Sequence, residues 1–279
     1  MVKFGVMQGR LLPKLNGRYQ AHPTGYWQDE FELASSFLLD VIEFIVDIDE
    51  IEKNPLMTID GLNAINAEAD RTKVRVESIC ADFLMDVPLH SVQSDNSKIA
   101  KCYLNRLVES AFRIGVTNIV IPCVDQSALR SSKDKSRLCD ALDKMRPLLK
   151  DRNITLALET DLSPKSFKQL LHDIDNDQIS VNYDIGNSAA LGFNPIDEFT
   201  AYGDRMTNVH IKDRTFNGGS VFLGSGDANF PLVFAELAAI DYSGLLIMQA
   251  YRDDEGVRLF SEQLDWIRPL AKKYLKDHQ

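Results

Sequence analysis

The sequence predicts an α/β protein folded as a single (β/α)8 TIM barrel over residues 1–279. Eight short apolar segments alternate with helical patterns, which is typical of a parallel sheet covered by helices. The length of 279 residues is close to the ~250 residues of such a barrel. Polar side chains end many of the segments, whereas an open doubly wound sheet usually concentrates its site at one switch point. The barrel is therefore favoured.

The strands are assigned to short runs rich in apolar and β-branched residues, which suit a sheet buried on both faces. In chain order these runs are Lys3–Gln8, Val41–Val46, Val74–Ala81, Asn118–Cys123, Thr155–Glu159, Ile179–Asp184, Thr207–Ile211 and Leu245–Ala250. The connection from Gln8 to Trp27 is the longest and is rich in Gly, Pro and Arg. We expect it to lie over the barrel mouth as an active-site loop.

Helices are assigned where apolar residues recur every three or four positions. These segments are Trp27–Leu38, Ser94–Ile114, Lys133–Lys150, Asn229–Ile240 and Val257–Leu275. Phe31, Ala34 and Leu38 are expected to share the buried face of the first helix. Asn229 is expected to cap its helix, because a proline follows in the first turn.

Composition excludes several classes of function. The net charge of -10 and the pI near 5.0 argue against nucleic-acid binding, which needs a basic face. No segment approaches the roughly 18 apolar residues of a membrane-spanning helix, and no signal-peptide pattern opens the chain. We expect a cytoplasmic protein that binds neither membrane nor nucleic acid. The four cysteines show no CxxC spacing and are expected to be buried free thiols.

Three strand ends carry candidate metal ligands. Glu159, Asp184 and His210 lie 25 and 26 residues apart, about one strand-plus-helix unit each. In a closed barrel they converge on one mouth, where two carboxylates and an imidazole suit a divalent metal. The alternatives are a salt bridge for the glutamate, a helix cap for the aspartate and a hydrogen-bonded core position for the histidine. Gln249 ends the eighth strand and offers a fourth, neutral oxygen.

Positive side chains also follow the predicted strands. They are Arg10, Lys212, Arg214 and Arg252. Four cations near the mouth of an acidic protein predict an anionic substrate, since arginine binds phosphate and carboxylate groups in bidentate fashion. Ion pairs with the adjacent Asp213 and Asp253 are the alternative. The glycine-rich segment 223–227 is a further candidate for binding an anion. Asp82, at the end of the third strand, is expected to bind substrate hydroxyls or to cap the next turn.

Several motifs together resemble the xylose isomerase-like barrel superfamily, which contains sugar and sugar-phosphate isomerases and epimerases and endonuclease IV-type enzymes. The motifs are Leu158-Glu159, Tyr183-Asp-Ile-Gly-Asn187, Asn208-Val-His-Ile-Lys-Asp213, Leu223-Gly-Ser-Gly-Asp227 and Leu246-Ile-Met-Gln249. The resemblance covers essentially the whole chain. It implies that Glu159, Asp184, His210 and Gln249 bind one divalent ion, namely Mn, Mg, Zn or Co. It also implies a dimer or larger assembly.

The sequence departs from the pattern of this family at two positions. Asn187 stands where the family often has histidine, and Gln249 where it often has glutamate. In ketose 3-epimerases of the family, the first and fourth carboxylates move protons on opposite faces of the substrate, and Gln249 cannot do so. Endonuclease activity is excluded, because five histidines are too few for a trinuclear zinc site.

These observations predict a divalent-metal-dependent isomerase or epimerase of a sugar, phosphorylated or otherwise anionic. Glu159 is the expected base, and Lys212 is expected to stabilise developing negative charge. The expected substrate-binding residues are Arg10, Asp82, Asn187, Arg214 and Arg252. Two alternatives are open: a metal-dependent sugar dehydratase or lyase using the same site, and a barrel that binds sugar without turnover.

Overall fold

Eight parallel strands close into a barrel, which confirms the predicted fold class. The computed structural model describes residues 2–252 and 256–275. The barrel strands are β1 (Lys3–Met7), β2 (Val41–Ile45), β3 (Arg75–Cys80), β4 (Asn118–Cys123), β5 (Thr155–Thr160), β6 (Ile179–Asp184), β7 (Met206–Ile211) and β10 (Leu245–Met248). Around the barrel their order is β1-β10-β7-β6-β5-β4-β3-β2. A short antiparallel pair, β8 (Asp213–Arg214) and β9 (Ser220–Val221), follows β7.

Helices pack around the outside of this barrel. They are α1 (Asp29–Ser36), α2 (Ile59–Thr72), α3 (Ser94–Ile114), α4 (Ser132–Arg152), α5 (Pro164–Ile174), α6 (Ile185–Leu191), α7 (Pro195–Tyr202), α8 (Phe230–Ala239) and α9 (Val257–Tyr274). The five predicted helices agree with α1, α3, α4, α8 and α9 to within two residues at each end. The Asn229 side chain accepts a hydrogen bond from the Leu232 amide, so the predicted cap is confirmed. Within the described part of the chain, no helix has the length and apolar character needed to cross a membrane.

Some predictions about burial were wrong. Leu38 is 80% exposed, because α1 ends at Ser36 and the chain turns before the helical face continues. Trp27, just before α1, is buried against Phe44 and belongs to the core. Cys102 is an exposed free thiol, whereas Cys80 and Cys123 are buried as expected. Helical periodicity thus located the elements better than it located their buried faces.

Strand alternation aims the functional side chains into the mouth. The centre of the barrel is filled by an apolar layer that includes Ala157 and Ile247. Side chains two residues apart on a strand share one face. Glu159 and Gln249 therefore continue the inward-facing rows of Ala157 and Ile247 toward the carboxyl ends of their strands. In (β/α)8 enzymes this is the end of the barrel that carries the active site.

A buried carboxylate holds the start of the long first connection in place. Glu30 of α1 accepts hydrogen bonds from the Gly9 amide at 2.8 Å and from the Leu11 amide at 3.0 Å. Burial raises the pKa of Glu30 to about 7, although these two hydrogen bonds act in the opposite direction. The hydrogen bonds of Glu30 fix the start of the loop that contains Arg10 and Gln20.

Two glycines of this loop allow a matched test of how tightly it is packed. Gly9 and Gly17 both have positive φ, +87° and +80°. A Cβ at Gly9 would lie 2.2 Å from the Tyr19 carbonyl oxygen, whereas nothing lies within 4 Å of one at Gly17. We expect Gly17→Ala to cost about 1 kcal/mol of unfolding free energy and Gly9→Ala at least ~2 kcal/mol more, measured by urea denaturation. Equal losses in the two variants would contradict this packing.

Candidate metal centre and substrate mouth

Glu159, Asp184 and His210 come together at the mouth. All three are buried, and one ligand atom from each lies within 4.8 Å of the others. The His210 Nδ1 atom is 3.4 Å from Glu159 Oε2 and 4.0 Å from Asp184 Oδ2. Two carboxylates and an imidazole at such separations can hold a divalent cation. The predicted convergence is thus observed, while the role of the residues as ligands stays a prediction.

The orientation of His210 is fixed from behind by a buried glutamate. His210 Nε2 lies 2.8 Å from Glu43 Oε1, and Glu43 is fully buried in the middle of β2. On the other side of the ring, the Asn182 amide nitrogen lies 3.1 Å from Nδ1. An amide N–H can only donate, so in the neutral ring Nδ1 is the acceptor and the proton is on Nε2. A histidine that ligates a metal commonly has this arrangement, with its second nitrogen bonded to a carboxylate.

Two opposing influences act on the basicity of His210. Burial by itself would lower the pKa of this ring, but the carboxylates of Glu43 and Glu159 outweigh burial and raise its pKa to about 10. The carboxylates around the ring therefore favour a positive charge on it. The same carboxylates would stabilise a divalent cation bound at Nδ1 in place of the proton.

Asp184 uses its two carboxylate oxygens differently. Oδ1 accepts a hydrogen bond from the Asn187 amide at 2.8 Å and so caps α6. Oδ2 faces the cluster and lies 3.4 Å from Lys212 Nζ. The helix-cap interpretation of this residue is therefore confirmed, and its role as a metal ligand stays a prediction. The cap orients the carboxylate and leaves one oxygen for the cluster.

Asn187 connects the carboxylate cluster to two of the predicted cations. Its Nδ2 donates to Glu159 Oε1 at 2.8 Å. Its Oδ1 accepts from Arg214 Nη1 at 2.8 Å and from Lys212 Nζ at 3.3 Å. A neutral amide at this position holds Glu159 in place without adding a fourth charged group.

Gln249 presents an unsatisfied oxygen to the barrel interior. Its Nε2 donates to Gln20 Oε1 at 2.9 Å, which fixes the orientation of the amide. Its Oε1 is buried and has no hydrogen-bond partner among the described residues. A buried acceptor without a partner costs free energy, and a cation would satisfy it. The donor set of Glu159, Asp184, His210 and Gln249 therefore fits a divalent metal.

The predicted arginines of the rim also make contacts within the chain. Arg10 donates to the Ala250 carbonyl at 3.2 Å and to Gln20 at 3.0 Å. Burial lowers the pKa of Arg10 to about 10, so it stays cationic at neutral pH. Arg252 donates to the Arg10 carbonyl and lies over the Tyr19 ring, 4.7 Å from its centroid. These contacts join the first loop to the end of β10 and place two cations at the rim.

The glycine-rich segment 223–227 does not offer its amides to a ligand. The amides of Gly224, Gly226 and Ala228 donate to the carboxylate of Asp213 at 2.8, 2.9 and 3.2 Å. The expectation of an external anion there was wrong, because an internal carboxylate occupies the place. Arg214 instead donates to the Gly218 carbonyl. The other proposed ion-pair partner, Asp253, lies outside the described residues.

Asp82 lies beside Gln20 at the carboxyl end of β3, two strands from β5 in the barrel order. Gln20 Nε2 donates to Asp82 Oδ1 at 3.3 Å. Burial raises the pKa of Asp82 to about 7, with Asp47 adding to the effect. The residue is partly exposed to solvent. The protonated form of Asp82 is therefore favoured over a wider pH range than that of an ordinary aspartate.

Sequence reasoning missed three members of the site, namely Glu43, Asn182 and Gln20. A signal existed for Glu43, since an acid in the middle of an apolar strand needs a buried partner. Asn182 similarly interrupts the apolar run of β6. Gln20 carries no such signal, because it lies in a loop whose path only the folded chain defines.

The fold and the cluster together define a TIM barrel with a candidate metal centre at the carboxyl ends of its strands. Residues 31–270 match the family described as xylose isomerase-like TIM barrel. The chain belongs to this family, which confirms the resemblance noted from its motifs.

Two relatives with an assigned activity are similar to this chain at low sequence identity. A 2-epi-5-epi-valiolone 7-phosphate 2-epimerase from Actinoplanes sp. is 26% identical over 211 residues, which cover 74% of this chain and 76% of the relative. An inosose dehydratase from Geobacillus kaustophilus is 28% identical over 103 residues, or 30% of this chain and 33% of the relative. Among solved structures, the IOLI protein with a bound zinc atom has a TM-score of 0.78 at 13% identity, with 99% of this chain and 100% of that chain covered. The predicted class, an enzyme resembling sugar isomerases and epimerases, is confirmed by these relatives.

Proposed function

We propose that this protein is a divalent-metal-dependent epimerase or isomerase of a sugar or sugar phosphate, acting by proton transfer next to a carbonyl. The observations that carry the proposal are the cluster of Glu159, Asp184 and His210 and the unsatisfied Gln249 oxygen at the end of β10, the strand that neighbours β7. The similarity to a 2-epimerase over three quarters of both chains supports epimerisation. We further propose a cytoplasmic location, and a dimer or larger assembly.

Glu159 and Lys212 have separate tasks in this reaction. A divalent cation held there would polarise the substrate carbonyl and the adjacent hydroxyl, which lowers the barrier to removing the proton between them. Glu159 takes that proton, and its two oxygens are held by Asn182 and Asn187. Lys212 lies beside Asp184 and opposes the negative charge that develops on oxygen.

The rim favours an anionic substrate. Arg10, Arg214 and Arg252 bring three guanidinium groups to the mouth, and each is only half-buried. Their contacts to backbone carbonyls fix the direction of the side chains. The relative whose substrate name includes a 7-phosphate supports a phosphorylated substrate.

Elemental analysis of protein purified without chelator tests the metal centre. We expect about one equivalent of Mn, Zn, Co or Mg, and loss of most of it in His210→Ala, because the imidazole supplies a ligand without which the remaining oxygens bind weakly. His172→Ala is the matched control, since that histidine is exposed on α5, outside the cluster. Wild-type protein that stays metal-free after soaking in Mn²⁺ or Zn²⁺ and desalting would contradict the proposal.

A metal-dependent dehydratase is the second candidate, favoured by the partial match to an inosose dehydratase. One base and a metal suffice for removal of water, so Gln249 is no obstacle to it. Product analysis in deuterated water distinguishes the two reactions. Epimerisation leaves deuterium on carbon at constant oxygen content, whereas dehydration removes an oxygen. A barrel that only binds sugar would show neither product, and only thermal stabilisation, about 2.7 kcal/mol at a hundredfold excess over the dissociation constant.

A further inference from the structure

The side-chain amide of Gln249 has two possible orientations, and only one of them offers an oxygen to the mouth. Ile247, two residues earlier, pairs with His210 on the neighbouring strand and belongs to the apolar layer at the centre of the barrel. The Gln249 side chain lies on the same face of the sheet, nearer the carboxyl end of its strand. With its nitrogen turned inward it would present N–H donors, which cannot bind a cation. The orientation of this amide therefore decides whether Gln249 can act as a ligand.

Arg10 fixes this orientation through Gln20. The Arg10 Nη2 atom lies 3.0 Å from one terminal atom of the Gln20 amide, and the Gln249 amide lies 2.9 Å from the same atom. A guanidinium has donors and no acceptor, so that atom of Gln20 is its oxygen. The atom of Gln249 that faces this oxygen is then the nitrogen, because two oxygens would repel each other. The Gln249 oxygen is left buried and without a hydrogen-bond partner among the described residues.

The contacts at the other ends of Gln20 and Arg10 agree with this assignment. Gln20 Nε2 donates to Asp82 Oδ1 at 3.3 Å, so both terminal atoms of the Gln20 amide are held. Arg10 is held as well, because its Nη1 donates to the carbonyl of Ala250 at 3.2 Å. Rotation of the Gln20 amide by half a turn would place N–H groups against the guanidinium. The observed orientation is therefore the one that satisfies all these groups.

We infer that Gln20 and Arg10 are positioning residues that turn the carbonyl oxygen of Gln249 toward a metal ion in the mouth. Both act through Gln249 and not on the ion. Arg10 donates to Gln20, Gln20 accepts from Gln249, and the Gln249 oxygen remains as the acceptor available to a cation. Because Gln20 lies in the first loop, the position of this loop becomes part of the metal centre. The inference rests on the proposed metal-dependent function and gives Arg10 a second role beside its charge at the rim.

A double-mutant cycle on metal affinity tests the role of Gln20. Metal-free protein is titrated with Zn²⁺ by calorimetry, or with Mn²⁺ if that ion binds more tightly, after urea unfolding has shown that each variant is folded. Gln20→Leu has no acceptor and should bind the ion about tenfold more weakly, as is usual when a residue that orients a ligand is lost. In the Gln249→Leu background the same substitution should change the affinity by less than about twofold, because no amide remains to be oriented. Gln169→Leu, at an exposed position on α5, is the matched control and should leave the affinity unchanged.

Arg10 is tested in the same two backgrounds. Removal of a positive charge near the site by itself strengthens cation binding, so the single variant does not isolate the effect on orientation. This charge effect is common to both backgrounds and cancels when they are compared. Arg10→Met should therefore cost at least ~3-fold more affinity with Gln249 present than in Gln249→Leu. Gln20→Glu keeps an acceptor for both neighbours and should retain wild-type affinity or exceed it.

The outcomes distinguish this inference from the proposed function. Metal binding by wild type with equal losses for Gln20→Leu in the two backgrounds would overturn the inference, because the loop would then act only through general stability. Unchanged affinity in Gln20→Leu, or a loss in Gln20→Glu as large as in Gln20→Leu, would overturn it too. Each of these results leaves the proposed function intact. Wild-type protein that binds neither Zn²⁺ nor Mn²⁺ would count against the proposed metal-dependent function, and against this inference with it.

Discussion

Glu159→Gln is expected to lower the rate of turnover by about 10²–10⁴-fold, because the amide cannot take the substrate proton. A glutamine retains a carbonyl oxygen for a metal, so most of the bound metal should remain. Both oxygens of Glu159 now accept from amide N–H groups, of Asn182 at 2.6 Å and of Asn187 at 2.8 Å. One of these contacts becomes donor against donor in the variant, which adds a modest loss of stability.

The measurement is kcat with a sugar or sugar phosphate that wild-type protein converts, as found by product analysis in deuterated water. Metal content and deuterium uptake are measured on the same samples. Glu159→Gln should lose both deuterium uptake and epimer formation. Glu262→Gln on α9 is the matched control for the chemical change, since that side chain is 46% exposed and distant from the mouth. Unchanged turnover in Glu159→Gln would eliminate this residue as the base.

Glu43→Ala is expected to lower both the stability of the fold and its affinity for metal. The Glu43 carboxylate accepts hydrogen bonds from Ser78 Oγ at 2.6 Å, from Asn208 Nδ2 at 2.8 Å and from His210 Nε2 at 2.8 Å. Its removal leaves three buried donors without this acceptor, at about 1–3 kcal/mol each where water cannot replace it. Metal affinity should fall by about 10–100-fold, because the imidazole loses the partner that fixes its orientation.

Two readouts distinguish a general loss of stability from the effect on His210. Unfolding in urea gives the first, and titration of metal-free protein with Zn²⁺ by calorimetry at a temperature where both variants are folded gives the second. Glu43→Gln keeps an acceptor oxygen for His210 and should retain more metal affinity than Glu43→Ala. Ser78→Ala removes a donor to Glu43 without touching His210 and should leave metal affinity nearly unchanged. Wild-type affinity in Glu43→Ala would refute this account of the histidine.

The strand ends were predictable because barrel geometry converts position along the chain into position in space. Any residue that ends a parallel strand of a closed barrel lies at the same mouth, so Glu159, Asp184 and His210 could be grouped without coordinates. The buried faces of α1 and α3 were harder to predict. The surface that a helix covers depends on where it ends and how it is rotated against the sheet. Leu38, predicted to share the buried face of the first helix, is therefore exposed, and so is Ile99 on α3, which lies at an apolar position of the helical pattern.

Partners within the site were decided by tertiary contacts. The amides of the segment 223–227 look like an anion site in sequence, but Asp213 folds back and occupies them. Arg10 and Arg252 look like substrate ligands, but both also donate to backbone carbonyls across the rim. In each case the competing internal partner is remote in sequence or follows a turn, so local pattern could not reveal it.

The sequence by itself determined the barrel, its strands to within about two residues and the convergence of Glu159, Asp184 and His210 at the mouth, because strand alternation and the order of the units impose these features. Only the tertiary structure decided that Glu43 supports His210, that Asn187 joins Glu159 to two cations, and that Gln20 connects Gln249 with Asp82. These contacts join strands and loops that are far apart in the chain, and their hydrogen bonds depend on side-chain directions that no periodic pattern encodes.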